Sequence, residues 1–136
     1  MDLLVNIDVD DLPKAVTFYQ RAVGLRLGRR FGALGVEMLG TSSPISLLLK
    51  PAGTRASTST GEVRHYGRHW TPVHLDFVVS ELESAVHRAI EAGAVIEGAI
   101  QTHNWGRIAQ MADPFGHGIC FIQFQGRGCD EIVHES

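Results

Sequence analysis

Two polar residues lie two positions apart in an otherwise apolar run near the middle of the chain. His74 and Asp76 belong to residues 73–79, a segment whose residue types predict a β-strand. Side chains two positions apart on a strand point to the same face, ~6.6 Å from each other, so both groups can contact one small ligand. An imidazole and a carboxylate together can orient a ligand or transfer a proton. The alternative is a structural pair, in which Asp76 bonds an arginine or a backbone donor.

Three further residues are candidates for the same ligand site. Trp70 leads directly into the His74 segment, and Trp105 lies further along the chain. Ligand pockets are lined by aromatic side chains with a few polar groups, so both tryptophans are predicted to line the pocket. Core packing or a dimer contact is the alternative for each tryptophan. Cys120 is predicted to contact the ligand or, as unpaired cysteines usually do, to fill a small buried space.

The pattern of the first half of the chain recurs in the second half. Each half predicts a strand, a helix and three further strands, and the apolar stripes of the two helices match at a separation of 70 residues. Asn6, in the predicted first strand over residues 3–9, is a further candidate for binding the ligand and is expected to face Asp76 across a pseudo-twofold axis. Each half is too short to bury a large core alone. We therefore expect an α+β fold in which two βαβββ modules form a half-open barrel around a shared cavity.

Local signals set the expected boundaries of the elements. Asp11 is predicted to cap the first helix and Gly24 to end it, while Ser80 with Glu83 forms a capping-box pattern before a second helix that ends at Gly93. The strands after the helices are expected at residues 25–31, 35–39, 45–50, 95–101, 107–111 and 119–124. We expect one domain over residues 1–136, with module one at about 1–50, a connector at about 51–71, module two at about 72–125 and a C-terminal tail at about 126–136.

Composition excludes several classes of protein. A hydrophobic fraction of 44% and a charged fraction of 20% are typical of a folded chain rather than a disordered one. A formal net charge of −3 gives no strongly positive surface, so nucleic acid is not an expected partner. No apolar run approaches the ~20 residues of a membrane-spanning helix, so no membrane partner is expected. Residues 1–8 lack the basic start of a secretory signal, and we expect a cytoplasmic location.

Four segments carry a family resemblance. Residues 6–12 lead to Phe18-Tyr19, residues 74–82 repeat the start of that pattern, and Trp105-Gly106 with the Asp-Pro-Phe-Gly of residues 113–116 completes it. This pattern resembles the vicinal oxygen chelate superfamily, which includes glyoxalase I, extradiol dioxygenases, and bleomycin- and fosfomycin-resistance proteins. The resemblance implies the two-module fold, a small-molecule ligand and a homodimer.

The resemblance also implies where metal ligands would lie, on the first and fourth strands of each module. Those positions fall on Leu4, Leu48, His74 and Cys120, and only the last two side chains can bind a metal. A catalytic zinc site normally has three protein ligands, and magnesium requires oxygen donors. We therefore expect no metal or other cofactor, with His74 the remaining candidate ligand if a divalent metal does bind.

Two functions follow as hypotheses. The first is a small-molecule-binding protein of the resistance-protein kind that lacks the metal site of glyoxalase I. The alternative is a glyoxalase- or lyase-like, isomerase or dioxygenase-like enzyme with an atypical metal site centred on His74. No catalytic residue is assigned, and whether the chain is an enzyme stays open at this point. A module that serves only a partner protein is a third hypothesis.

Overall fold

The computed structural model of the chain describes residues 1–133. These residues form two compact units, Met1–Gly67 and Arg68–Ser136, of which the second is described as far as residue 133. The boundary falls inside the expected connector, so residues 51–67 belong to unit 1 and residues 68–71 to unit 2. Residues 134–136 of the expected tail lie outside the described residues.

Unit 1 contains one helix and one four-stranded sheet. Its elements are β1 (Val5–Val9), α1 (Leu12–Val23), β2 (Arg26–Arg30), β3 (Gly35–Leu39) and β4 (Ile45–Leu49). The sheet order is β1-β4-β3-β2, in which β1 and β4 are parallel and the other neighbours are antiparallel. This is the predicted βαβββ module.

Local sequence signals determine where α1 begins and ends. The Asp11 side chain accepts a hydrogen bond from the backbone N–H of Lys14 at 3.1 Å, which satisfies one of the free donors of the first turn. Gly24 ends the helix with φ +80°, a left-handed conformation that glycine adopts without steric cost. The apolar stripe of α1 packs on β3 and β4. Both predicted boundaries of this helix are confirmed.

The strands of unit 1 alternate between two faces of the sheet. Ile7 and Val9 of β1 are buried on the face that α1 covers, whereas Asn6 and Asp8 point to the opposite face. We call the face without the unit's own helix its open face. The alternation therefore places the polar residues of β1 on the open face.

Unit 2 repeats this arrangement with an interrupted edge strand. Its elements are β5 (Leu75–Val78), α2 (Leu82–Ala92), β6 (Val95–Ile96), β7 (Gln101–His103), β8 (Gly106–Ala112), β9 (Gly118–Phe124) and a 3-10 helix (Gly128–Ile132). The sheet order is β5-β9-β8-β6, with β7 also paired to β8. Neither sheet closes into a barrel among the described residues. The predicted α+β fold of two βαβββ modules is confirmed.

Two strand predictions in unit 2 need correction. The strand predicted over residues 95–101 is two short strands, because Gly98 between them has φ +87°, which interrupts the extended backbone. The strand predicted over residues 73–79 begins only at Leu75. His74 therefore lies just before β5 rather than within it.

The predicted capping box of α2 is wrong. Its N-cap residue is Glu81, whose side chain makes no capping hydrogen bond. The backbone N–H of Leu82 instead donates to Oε1 of Gln123 on β9, at 2.7 Å. A neighbouring strand thus satisfies a donor at the helix start, while the predicted helix end at Gly93 is confirmed by its φ of +116°.

The part of the connector that belongs to unit 1 is folded back on itself. An isolated antiparallel bridge joins Arg55 to Val63, and Ala56 donates its backbone N–H to the carbonyl oxygen of Glu62 at 2.8 Å. The Arg64 guanidinium contacts the Asp8 carboxylate on the open face at 2.8 Å. Among the described residues, no helix is both long and apolar enough to cross a bilayer.

Candidate functional site

The open face of unit 2 carries one polar residue on each of three neighbouring strands, β5, β9 and β8. Asp76 on β5 pairs with Cys120 on β9, and Cys120 pairs with Gln110 on β8. Paired residues in neighbouring strands point to the same face. Phe77 and Phe121, one position further along, are buried on the opposite face with the core. The alternation of the strands therefore aligns Asp76, Cys120 and Gln110 in one row.

His74 contacts the Asp76 end of this row. Its Nδ1 lies 3.1 Å from Oδ1 of Asp76, and the exposed fractions of the two side chains are 50% and 37%. This separation is that of a hydrogen bond, and the tautomer of His74 decides which of its two ring nitrogens carries the proton. Because His74 precedes the strand, its side chain can lean towards Asp76. The structure gives Asp76 a histidine partner, rather than the arginine of the structural alternative.

Cys120 is buried beside the Asp76 carboxylate. Burial, which disfavours the charged thiolate, and the neighbouring Asp76 raise the pKa of the Cys120 thiol to about 11. The thiol is therefore protonated at neutral pH. A protonated thiol is a poor nucleophile, so this environment does not activate Cys120 for covalent chemistry.

His74, Asp76 and Cys120 bring three kinds of donor atom together. One nitrogen, one carboxylate oxygen and one sulfur from these residues all lie within 4.8 Å of one another. The three residues come from the start of β5 and the middle of β9, two strands whose parallel pairing fixes their spacing. Such a group can bind a cation or hold a polar substituent of a ligand.

A cavity of about 370 Å³ lies beside this cluster, within unit 2. Its lining combines an exposed tryptophan, an aliphatic wall and several hydrogen-bonding groups. The lining residues are Arg68, Trp70, Thr71, His74, Glu97, Ile108, Gln110, Met111, Gly118, Ile119 and Cys120. Apolar walls with a few polar groups are typical of sites for organic small molecules.

An ion pair in the lining was missed by sequence reasoning. Arg68 donates from Nε and Nη2 to the two carboxylate oxygens of Glu97, at 2.6 and 2.8 Å. These hydrogen bonds lower the pKa of Glu97 below its usual value. A Cβ at Gly118 would lie 3.0 Å from Nη2 of Arg68, so this glycine lets the guanidinium lie close to β9. No local pattern links residues that lie 29 positions apart.

The two predicted tryptophans have different surroundings. Trp70 lines the cavity and is 78% exposed. Trp105 stacks on His103, with ring centres 5.1 Å apart, and meets Phe124 edge to face at 6.3 Å. Trp105 does not belong to the cavity lining of unit 2. The structure therefore brings Trp70, but not Trp105, to the cavity that His74 and Cys120 line.

The predicted site residue of unit 1, Asn6, is exposed on the open face of its own sheet. It pairs with Ser46 on β4, which in turn pairs with Glu37 on β3. The Glu37 carboxylate accepts hydrogen bonds from Nε and Nη2 of Arg29, at 3.2 and 2.8 Å, and these bonds lower its pKa. Glu37, whose orientation the sequence did not decide, thus forms a structural ion pair.

Strand register corrects one position that the resemblance implied. Asp76 pairs with Cys120, and Asn6, which is 70 residues before Asp76, pairs with Ser46. Ser46 is therefore the counterpart of Cys120 in unit 1, whereas Leu48 pairs with Asp8 one pleat further along. The chain between the paired residues differs in length between the units, because Asn6 and Ser46 lie 40 residues apart whereas Asp76 and Cys120 lie 44 apart.

Comparisons with known proteins identify a family of relatives. The profile of the glyoxalase-like domain matches residues 4–122. The chain is 29% identical over 126 residues to the anthracycline biosynthesis protein DauV of Streptomyces sp. (strain C5), a match that covers 89% of this chain and 40% of that protein. It is 30% identical over 121 residues to an uncharacterized protein of Mycobacterium bovis, covering 82% of this chain and 76% of that protein. The chain thus spans well under half of DauV.

A solved structure shares the fold. A glyoxalase/bleomycin resistance protein/dioxygenase family enzyme from Burkholderia phytofirmans PsJN aligns with a TM-score of 0.71 at 20% identity, covering 92% of this chain and 100% of that one. At this identity the similarity is one of fold.

Proposed function

Because the chain belongs to the glyoxalase-like domain family of the vicinal oxygen chelate superfamily, we propose that it binds an organic small molecule in the cavity of unit 2. The composition of the cavity lining carries the proposal. Trp70 offers a flat aromatic surface to a cavity of about 370 Å³. Ile108, Met111 and Ile119 form its aliphatic wall. A volume in the range ~300–1,000 Å³ is usual for small-molecule sites.

The polar groups of the lining define the class of ligand. The His74 imidazole and the Gln110 amide lie on the same cavity as the Arg68–Glu97 ion pair. Together they can bind hydroxyl or carbonyl substituents of a ligand whose body contacts Trp70. The proposed ligand is therefore amphipathic, with a flat apolar body and polar substituents. The biosynthetic role in the name of DauV supports a natural-product ligand of this kind.

The metal centre that glyoxalase I would imply does not fit these residues. Unit 1 would have to supply donors at Leu4 and at the counterpart of Cys120, which is Ser46. A hydrocarbon side chain and a neutral hydroxyl do not replace the nitrogen and carboxylate donors that such a centre uses. The proposed binding therefore proceeds without a glyoxalase-type, two-unit metal centre.

The two tryptophans provide a matched test of the binding proposal. Titration with an anthracycline and with bleomycin is expected to quench tryptophan emission and to raise the melting temperature by mass action. The Trp70→Phe variant is expected to lose most of the quenching, and Trp105→Phe to keep it, because only Trp70 lines the cavity. Equal loss in both variants, or no response of emission and melting temperature to either ligand, would contradict the proposal.

A second candidate function is a lyase, isomerase or dioxygenase with an atypical metal centre at His74. The convergence of His74 with Asp76 and Cys120 favours this candidate. Turnover of the methylglyoxal–glutathione adduct with added nickel or zinc, lost in His74→Ala, would support it. Absence of turnover with either metal would leave the binding protein as the function.

Two further parts of the proposal concern assembly and location. A homodimer is expected from the family resemblance, and sedimentation velocity of the purified chain tests this. A monomer at all concentrations would contradict it. We also propose a cytoplasmic location, which suits a chain whose two cysteines are both free thiols. Fractionation of cells that express the untagged protein is the corresponding measurement.

A further inference from the structure

We propose that His74, Asp76 and Cys120 form a binding site for a thiophilic divalent cation such as Zn²⁺, contained entirely within unit 2. This site differs from the centre implied by the family resemblance, which draws ligands from both modules. It goes beyond the proposed binding of an organic molecule and does not depend on it. It also departs from the sequence-based expectation that no metal binds.

The donor atoms are already close to the spacing that a metal requires. Donors around a tetrahedral zinc ion lie ~3.3–3.6 Å apart, given Zn–N and Zn–O distances of ~2.0–2.1 Å and a Zn–S distance of ~2.3 Å. Nδ1 of His74 and Oδ1 of Asp76 are 3.1 Å apart, and all three donors lie within 4.8 Å of one another. Side-chain rotations that move the donor atoms by about 1 Å would bring the remaining separations into that range.

Asp76 raises the number of candidate metal-donor residues in unit 2 from two to three. The positions implied by the resemblance include His74 and Cys120 but not Asp76, and two ligands are too few for a specific site. The structure adds Asp76 because His74 lies before β5 and leans towards it, while Asp76 pairs directly with Cys120. The third ligand thus comes from within the unit rather than from unit 1.

The chemistry of the three donors selects the class of cation. Sulfur and imidazole nitrogen favour Zn²⁺ and related borderline ions, whereas Mg²⁺ and Mn²⁺ prefer sites composed of oxygen atoms. A bound cation would displace the proton of the Cys120 thiol to solvent, and the resulting thiolate and the Asp76 carboxylate would offset the charge of a divalent ion. The nearby Arg68 does not oppose the cation with an unbalanced charge, because its guanidinium is paired with Glu97.

The site is open to solvent, so a cation can reach it. One coordination position of the bound cation would remain free for a ligand. The His74 and Asp76 side chains are both partly exposed, so the site can be reached from solvent. His74 and Cys120 also line the cavity of unit 2. With three protein donors, the fourth position of a tetrahedral ion stays open, as in catalytic zinc sites. An oxygen substituent of a molecule in the cavity is the class of ligand suited to that position.

Cobalt(II) provides a direct readout, because a cobalt–thiolate bond absorbs in the near ultraviolet through charge transfer from sulfur. Untagged protein, stripped of metal, would be titrated with Co²⁺ and then with Zn²⁺, Mg²⁺ or Mn²⁺. We expect one Co²⁺ per chain with a charge-transfer band, displacement of cobalt by one equivalent of Zn²⁺, and no displacement by Mg²⁺ or Mn²⁺ at similar concentration.

The chain contains its own control for thiol binding. Cys120→Ser is expected to lose the charge-transfer band, whereas Cys129→Ser should keep it, because Cys129 is an exposed cysteine of the 3-10 helix. His74→Ala and Asp76→Asn are expected to weaken Co²⁺ binding at least ~10-fold, because removing even a residue that only orients a metal ligand costs ~10–100-fold in affinity. Asp76→Asn keeps the size of the side chain, and circular dichroism of each variant establishes that it folds.

Several results would overturn the site. One is the absence of cobalt binding by the folded wild-type protein. Others are a charge-transfer band that survives Cys120→Ser or is lost in Cys129→Ser, and a Co²⁺ affinity that is unchanged in both His74→Ala and Asp76→Asn. The titration contains no organic ligand. A negative result therefore leaves the tryptophan test of the proposed function intact, and the two failures are distinguishable.

Discussion

The Arg68–Glu97 ion pair predicts a specific effect of the substitution Glu97→Gln on stability. Solvent-exposed ion pairs contribute ~0.2–1 kcal/mol, and a bidentate pair lies near the upper end. Both side chains of this pair are roughly two-thirds shielded, with exposed fractions of 37% and 35%. We therefore expect Glu97→Gln to lower the free energy of unfolding by about 1 kcal/mol at neutral pH. For a domain of this size, that corresponds to a melting temperature about 3–4 °C lower.

The same pair gives the effect a defined pH dependence. Its hydrogen bonds hold the pKa of Glu97 below the usual value, so the carboxylate binds a proton less readily in the folded state than in the unfolded state. The stabilisation is therefore complete above the unfolded pKa of about 4.3 and is lost as the pH falls through the lower folded-state pKa. The difference between wild type and Glu97→Gln should shrink as the pH falls below about 4.

Thermal unfolding followed by circular dichroism, at several pH values, measures both effects. The control is Glu91→Gln, which removes the carboxylate of an exposed pair with His87 on α2 and is expected to change the melting temperature by no more than ~1 °C. The reasoning would be refuted if Glu97→Gln matched wild type at neutral pH. A stability difference that stayed constant down to about pH 3 would equally refute it.

Two other predictions concern thiol reactivity and backbone packing. At neutral pH, iodoacetamide should modify exposed Cys129 and spare buried Cys120, because the pKa of the Cys120 thiol is raised to about 11. Mass spectrometry of the folded protein measures the two labelling rates, and similar rates would contradict this prediction. Gly106→Ala should destabilise the chain by about 2–4 kcal/mol in urea denaturation, because a Cβ there would lie 2.3 Å from the backbone oxygen of Gln123. Gly61→Ala, with nothing within 4 Å of its Cβ, should be close to neutral, and equal effects of the two substitutions would refute the packing argument.

The sequence predicted those features that depend on neighbouring residues. Asp11 and Gly24 define α1 through contacts within one turn of the helix, so their residue types were sufficient. The capping box before α2 failed because Gln123, which is 41 residues from Leu82, supplies the acceptor. A competing tertiary contact of this kind leaves no signal in the local pattern.

The candidate site was predicted only in part, for the same reason. The two-residue spacing indicated that His74 and Asp76 lie together, but the pairing of Asp76 with Cys120 depends on the register between β5 and β9. That register depends on contacts between strands far apart in the sequence, and spacing counts assigned Leu48 where the strands pair Asn6 with Ser46. The role of Arg68 likewise depends on a contact that only the folded chain forms.

The most direct test of ligand binding in the cavity of unit 2 uses the two indole N–H signals of the chain. Trp70 and Trp105 give separate signals in a ¹H–¹⁵N correlation spectrum, which Trp70→Phe assigns. Titration with an anthracycline or bleomycin is expected to shift the Trp70 signal in a saturable way. The Trp105 signal should stay in place, because its ring stacks on His103 outside the cavity lining. A shift of Trp105 with Trp70 unchanged, or no shift of either signal, would contradict the account.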